Sequence, residues 1–229
     1  MSSFFKRIFS PRERPGVRLI VFDFDGTLAD TRELLLRIVS RHLAKFNISM
    51  TKNLIISFGN APLADFVSAS DLRKDFVRSV SASINGDFLS EYKKIKPCKG
   101  LTYLGNISIR KVIVSNNITD FIGKTLKYLR ADFFDEIYGS DKFTNKVNAI
   151  KSLYKKYRIS PNEVIYVADK AIDVSIARAV GCYSVIVSNK SSWSKHSEAA
   201  RERPDYIIGS LGKLNRVVER INMEQFSIV

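Results

Sequence analysis

Val-Arg-Leu-Ile-Val-Phe-Asp-Phe-Asp-Gly-Thr, residues 17–27, decides the fold. Its first six residues are an apolar, β-branched run of strand length that stops at Asp23. Gly26 permits a tight, left-handed turn after Asp25, and the Thr27 hydroxyl is placed to hold that turn by a hydrogen bond. The stretch reads as a buried strand whose end aims two carboxylates in one direction.

Similar runs occur at Lys111–Ser115, Val164–Ala168 and Tyr183–Val187, with a shorter one at Glu136–Tyr138. Between them Ile122, Leu126 and Leu129, then Val147, Ile150 and Leu153, then Val174, Ile176 and Val180 recur at helical spacing. Nearly continuous apolar strands alternating with amphipathic helices predict an α/β fold, a doubly wound parallel sheet covered on both faces. Residues 31–96 break the rhythm. No buried strand is legible there, while Leu35, Ile38, Val39, His42, Leu43 and Phe46 follow Thr31, read as a helix cap. Further helical patterns fall at Leu63–Val67, Leu72–Val80 and Phe88–Tyr92, and Phe58–Pro62 reads as a connection between helices. The expected organisation is a basic N-terminal tail at 1–16, a core at 17–30 and 97–229, and a small inserted α-helical domain at 31–96.

Ligands of such sheets sit outside the carboxyl ends of the strands, near the switch in strand order. Asp23 and Asp25 fall at one such end, Ser115 and Asn116 at a second, Asp169 and Asp173 at a third. Carboxylates that converge from different strands repel one another unless a cation lies between them, and an all-oxygen set suits magnesium. A Mg2+ site is therefore expected on this rim.

Four runs together, Val-Phe-Asp-Phe-Asp-Gly-Thr-Leu-Ala-Asp (21–30), Val-Ile-Val-Ser-Asn-Asn (112–117), Phe-Thr-Asn-Lys (143–146) and Val-Ile-Tyr-Val-Ala-Asp-Lys-Ala-Ile-Asp (164–173), resemble the motifs of the haloacid dehalogenase superfamily. The likeness runs from about residue 17 to residue 215 and is nearest to the phosphoglycolate-phosphatase-like hydrolases, with a Rossmann-like core and an inserted helical cap. The resemblance implies that Asp23 is a nucleophile forming an aspartyl-phosphate and that Asp25 is the general acid and then base. It further implies that Asp23, the Asp25 backbone carbonyl and Asp169 hold Mg2+, with Asp173 behind them. Ser115 and Asn116 would hydrogen-bond phosphate, Gly26 and Thr27 would shape its cradle, and Lys146 would supply positive charge. Lys142 competes for that last role, but Lys146 opens a helical pattern and is preferred. Asp25 argues for phosphate over halide chemistry, because halide departure needs no protonated leaving group.

The fourth run departs from the family pattern. Ala168 stands where glycine is usual, and Lys170 follows Asp169. Lys170 either turns to solvent or contacts an anionic substrate. A helical cap over the site implies a small phosphorylated metabolite and disfavours a nucleic-acid substrate. Hinges are expected near Thr31 and Pro97–Gly100. Two other readings use the same residues or fold: a phosphosugar mutase, and a catalytically weak protein whose basic surface binds RNA or membrane.

The formal charge of +14 and pI near 9.8 favour anionic partners without choosing among them. Lys6, Arg7, Arg12, Arg14 and Arg18 interleave with Phe4, Phe5, Ile8 and Phe9, a candidate peripheral membrane anchor weighed against a loosely held terminus. Cys98 and Cys182 lack metal-ligand spacing, and His42, His196 and Trp193 lack motif context, so all five are read as structural. With no long apolar run, a cytoplasmic protein is expected.

Overall fold

The computed structural model describes residues 16–60, 63, 65–66 and 74–227. The basic tail before Gly16, the helical reading at Leu63–Val67 in part, and the start of Leu72–Val80 lie outside the described residues. Among the described residues eight strands form: β1 (Leu19–Phe22), β2 (Ala29–Asp30), β3 (Lys96–Pro97), β4 (Arg110–Val114), β5 (Glu136–Tyr138), β6 (Val164–Ala168), β7 (Tyr183–Val187) and β8 (Tyr206–Ile208). Six make one parallel sheet in the order β5-β4-β1-β6-β7-β8. β1 lies centrally, with the chain leaving it first toward β4 and later toward β6, so its carboxyl end is the switch point.

Why β1 carries no polar residue is visible in its burial. Leu19 and Val21 face one core cluster, with Ile150, Leu153 and Val174; Ile20 and Phe22 face the other, with Ile122, Val218 and Ile221. All four are fully buried, and each such side chain contributes about 1.5–3 kcal/mol relative to exposure. The helices Lys146–Tyr157 and Ala171–Val180 cover the first face, and Thr119–Tyr128 and Leu214–Phe226 cover the second. β8 went unread in the sequence because three residues of an edge strand give too short a period-2 signal.

Between β2 and β3 lie the helices Arg32–Ala44, Lys52–Asn60 and Lys74–Glu91. The last is one continuous helix where the sequence suggests two patterns; Gly86 interrupts the apolar spacing but not the backbone. Phe58, Gly59 and Asn60 likewise belong to a helix and not to a connection. β2 and β3 pair antiparallel, so the outgoing and returning chains form a two-stranded ribbon beside the sheet. Phe88 of the inserted helices packs on Phe121 of the core at 5.6 Å between ring centroids, and Phe121 packs edge-on against Phe24 at 6.1 Å. Among the described residues no helix is long and apolar enough to cross a membrane.

Edge strand β5 is tied to the helix Lys146–Tyr157 through one carboxylate. Glu136 accepts from Lys156 Nζ at 2.5 Å, from Tyr138 OH at 2.7 Å and from the Tyr157 hydroxyl. The Arg110 guanidinium stacks on the Tyr157 ring, 4.2 Å from its centroid. Burial alone would raise the Glu136 pKa, but these donors hold it at about 2 against an ordinary 4.5. A depressed folded-state value stabilises above the unfolded pKa and is lost as pH falls through the folded one. Glu136→Gln should therefore lower the melting temperature at neutral pH. The gap from wild type should close as pH drops from about 4.5 to about 2, read from thermal melts across that range.

Candidate active site

Asp23 is one residue past β1, and its N–H donates to the Val167 carbonyl at 2.9 Å, extending the ladder and locking its direction. Its carboxylate is 1% exposed, with Oδ1 3.2 Å from Lys146 Nζ and Oδ2 3.3 Å from Lys170 Nζ. Burial alone would push this group up, yet the two ammonium charges overcome it and bring the pKa down to about 2. Asp25 lies two residues on, buried, with different neighbours. Thr31 Oγ1 donates to its Oδ1 at 2.8 Å, Asn117 Nδ2 lies 3.3 and 3.4 Å from its two oxygens, and Ser115 Oγ is 3.5 Å from Oδ2. Burial first, then the charge of Asp23, raise the Asp25 pKa above the ordinary carboxylate value. The two carboxyls thus differ in proton affinity because close ammonium groups overcome burial at Asp23, whereas at Asp25 burial and the charge of Asp23 outweigh the donors that face it.

Gly26 makes the turn that separates them, at φ +78°. A β-carbon there would run into Asp169 Oδ2 and the Trp193 ring, so glycine is needed both for the backbone and for close approach. Thr27 does not hold its own turn as the sequence suggests; fully buried, its hydroxyl donates across the rim to Asp169 Oδ1 at 3.1 Å. Thr31 likewise precedes a helix without capping it, because its hydroxyl is engaged by Asp25.

Asp169 ends β6, is fully buried, and receives the Trp193 N–H on Oδ2 at 2.5 Å. Burial, with Asp23 adding and Lys170 opposing, raises its pKa to about 8. Asp173 accepts from Tyr166 OH at 2.8 Å and from the Lys170 N–H at 3.3 Å, which also closes the first turn of the helix Ala171–Val180. Asp23, Asp169 and Asp173 each offer a carboxylate oxygen within 4.8 Å of one another. Three hard oxygen donors at this spacing, with Asp169 short of compensating positive charge, fit a divalent cation. Asp173, which the sequence placed behind the ligands, has a carboxylate oxygen within the same spacing.

Lys146, the first residue of its helix after the Asn145 cap, reaches Asp23 and also donates to Tyr166 OH at 3.1 Å. Lys142 points elsewhere, to the Ile137 carbonyl at 2.9 Å. Asn116 donates to the Asn60 carbonyl at 3.4 Å, a contact between the rim and the inserted helices. Asn117 and Tyr166 escaped the sequence reading. Asn117 was legible as the second asparagine after β4, but a tyrosine inside an apolar strand reads only as core.

A cavity of about 380 Å³ opens above the rim. Asp23, Asp25, Asn116 and Lys170 form part of its floor, Leu35, Ser81, Asn85 and Phe88 of the inserted helices face them, and Trp193 forms a wall. Gly26, Thr27, Ser115 and Lys146 are buried outside its lining. His42 is not part of it: its Nε2 is 2.6 Å from Asp87 Oδ2 within the inserted helices. His196 is exposed at a helix start, and both cysteines are free and buried.

The family model described as haloacid dehalogenase-like hydrolase matches residues 20–187. The chain is similar to a phosphoglycolate phosphatase of Vibrio vulnificus strain CMCP6, 25% identical over 226 residues, spanning 88% of this chain and 96% of the relative. It is also similar to the pyrophosphatase PpaX of Bacillus pumilus strain SAFR-032, 25% identical over 214 residues, spanning 88% and 96%. Among solved structures, a haloacid dehalogenase-like family hydrolase of Streptococcus pneumoniae shares the fold with a TM-score of 0.70. It is 21% identical, and the match covers 89% of this chain and 98% of that one.

Because Gly26 combines positive φ with a packed approach, Gly26→Ala should destabilise the protein by more than about 1 kcal/mol. A melting temperature unchanged from wild type would contradict this account of the turn.

Proposed function

The chain belongs to the haloacid dehalogenase-like hydrolases, and on that footing we propose that it is a magnesium-dependent phosphatase releasing inorganic phosphate from a small phosphomonoester through an aspartyl-phosphate on Asp23. The observation that carries this reading is the unequal treatment of two carboxyls on one cavity floor. Asp23 is held anionic by Lys146 and Lys170, as a nucleophile must be. Asp25 is raised toward the protonated state, as the acid for a leaving alkoxide must be. The relatives' names, phosphoglycolate phosphatase and pyrophosphatase, support phosphate as the group transferred.

In this mechanism a phosphoryl group lies on the floor with phosphorus facing Asp23. An Asp23 oxygen forms the bond to phosphorus while the ester oxygen leaves with the proton from Asp25. Asp25, now a carboxylate held by Thr31 and Asn117, takes a proton from the attacking water, which breaks the Asp23–phosphorus bond and frees phosphate. Lys146, braced by Tyr166, keeps Asp23 aimed and offsets negative charge. Mg2+ held by Asp23, Asp169 and Asp173, with the Asp25 backbone carbonyl, would supply positive charge opposite the phosphoryl oxygens. The cavity volume suits a small metabolite, and the inserted helices above it limit the length of the leaving group. We further propose a cytoplasmic enzyme; its two free, buried cysteines support a reducing compartment.

Purified protein should release phosphate from an aryl phosphate when Mg2+ is present, lose that activity on chelation and regain it on adding Mg2+ back. Asp23→Asn should abolish turnover, and full activity in that variant would sink the mechanism. Asp25→Ala should slow alkyl phosphates by about 10²–10⁴-fold and aryl phosphates by much less, because a phenolate leaves without a proton. Equal losses on both substrate types would remove Asp25 from the acid role.

A further inference from the structure

Lys170 follows Asp169 directly past β6, and the structure does not turn it to solvent. It is 7% exposed and lines the cavity floor. Both oxygens of Asp23 face an ammonium group, but the two lysines are not equivalent. Lys146 Nζ is shared among Asp23, Tyr166 OH at 3.1 Å and Asp173 at 3.8 Å, all outside the cavity lining apart from Asp23. For Lys170 Nζ, Asp23 Oδ2 is the one hydrogen-bond acceptor among the described residues. An ammonium carries three donors, so Lys170 has capacity left at the cavity surface and Lys146 has little.

Its stem is held. The Lys170 N–H is bound by Asp173 at 3.3 Å, the following N–H donates to Ser194 Oγ at 2.9 Å, and the ammonium passes 5.9 Å from the Trp193 ring centroid. The charge count points the same way. Four buried carboxylates, Asp23, Asp25, Asp169 and Asp173, surround two ammonium groups. With Asp25 protonated as the acid, a divalent cation would bring that set to one net positive charge, and without Lys170 only to neutrality, where a phosphate dianion has to enter. Lys170 makes its close ion pair with Asp23, while Asp173, Asp169 and Asp25 act on its charge at longer range.

We propose that Lys170 is a second phosphate-binding residue, resting on Asp23 Oδ2 until it donates to a phosphoryl oxygen of bound substrate or product phosphate. The proposal rests on the phosphatase reading and adds to it a cation on the cavity side of the nucleophile, opposite Lys146. It also accounts for burying a lysine beside a metal cluster, where a plain competitor for the cation would impair the site.

The test is equilibrium binding to the full-length protein. Inorganic phosphate is titrated calorimetrically at saturating Mg2+ into wild type, Lys170→Met, Lys170→Gln and Lys170→Arg, and Mg2+ is titrated alone. The methionine and glutamine variants should bind phosphate about 10–100-fold more weakly, with KM for an aryl phosphate raised and Mg2+ affinity within a few-fold of wild type, while arginine retains most of the binding. Circular dichroism and thermal melts identify which of the two neutral variants is folded, and either suffices. Unchanged phosphate affinity in a folded neutral variant overturns the proposal. So does a Mg2+ affinity that rises about ten-fold while phosphate binding stays the same, which would make Lys170 a competitor for the cation. If wild type binds phosphate and turns over esters while the neutral variants bind phosphate normally, the Lys170 assignment falls and the phosphatase reading stands. If wild type turns over no ester, both fall.

Discussion

Four carboxylates buried in one cluster are the constraint around which the rest of this structure is arranged. Like charges at this density in a desolvated site are unfavourable unless each is separately compensated. Asp23 takes two ammonium groups, Asp25 two neutral donors at close range, Asp169 a hydroxyl and a backbone N–H, and Asp173 a phenol and a backbone N–H. Those partners come from within and just past β6, from the residues that follow β1, β2, β4 and β7, and from the first turn of the helix Lys146–Tyr157. A six-stranded parallel sheet is the device that brings them to one rim, because every strand delivers its carboxyl end to the same edge.

Compensation of unequal kinds gives the site its chemistry. Cations beside Asp23 favour its anionic form, whereas the donors beside Asp25 leave its proton affinity raised by burial and by Asp23 itself. The turn at Gly26 keeps the two carboxyls apart in environment although they are two residues apart in sequence. The close approach it allows also brings Thr27 onto Asp169, so one tight turn couples the end of β1 to the end of β6.

The inserted helices are joined to this rim by more than their covalent links. The β2–β3 ribbon carries the chain out and back as a pair, Thr31 at its end donates to Asp25, and Asn116 donates to Asn60. The aromatic contacts Phe88–Phe121 and Phe121–Phe24 run from the inserted helices to the turn of the first motif. Position of the helices and geometry of Asp25 are therefore mechanically linked.

Much of this was legible in the sequence alone. Strand ends show as apolar runs that stop at Asp23, Ser115 and Asp169, because a fully buried strand tolerates polar residues only where it leaves the sheet. The doubly wound fold, the inserted helical segment and the convergence of separated aspartates on one edge follow from periodicity and from the handed geometry of parallel sheets. Which donor meets which carboxylate did not follow. Thr27 and Asp169 are 142 residues apart and Asn117 and Asp25 are 92 apart, and neither pairing leaves a local pattern. Tyr166 reads as core until its hydroxyl is seen between Lys146 and Asp173. Lys170 was open to two opposite readings, because a lysine's four-carbon stem reaches solvent or site equally well from the end of a strand. The tertiary structure decided for the site, since only there does a buried excess of negative charge outweigh the hydration an ammonium gives up.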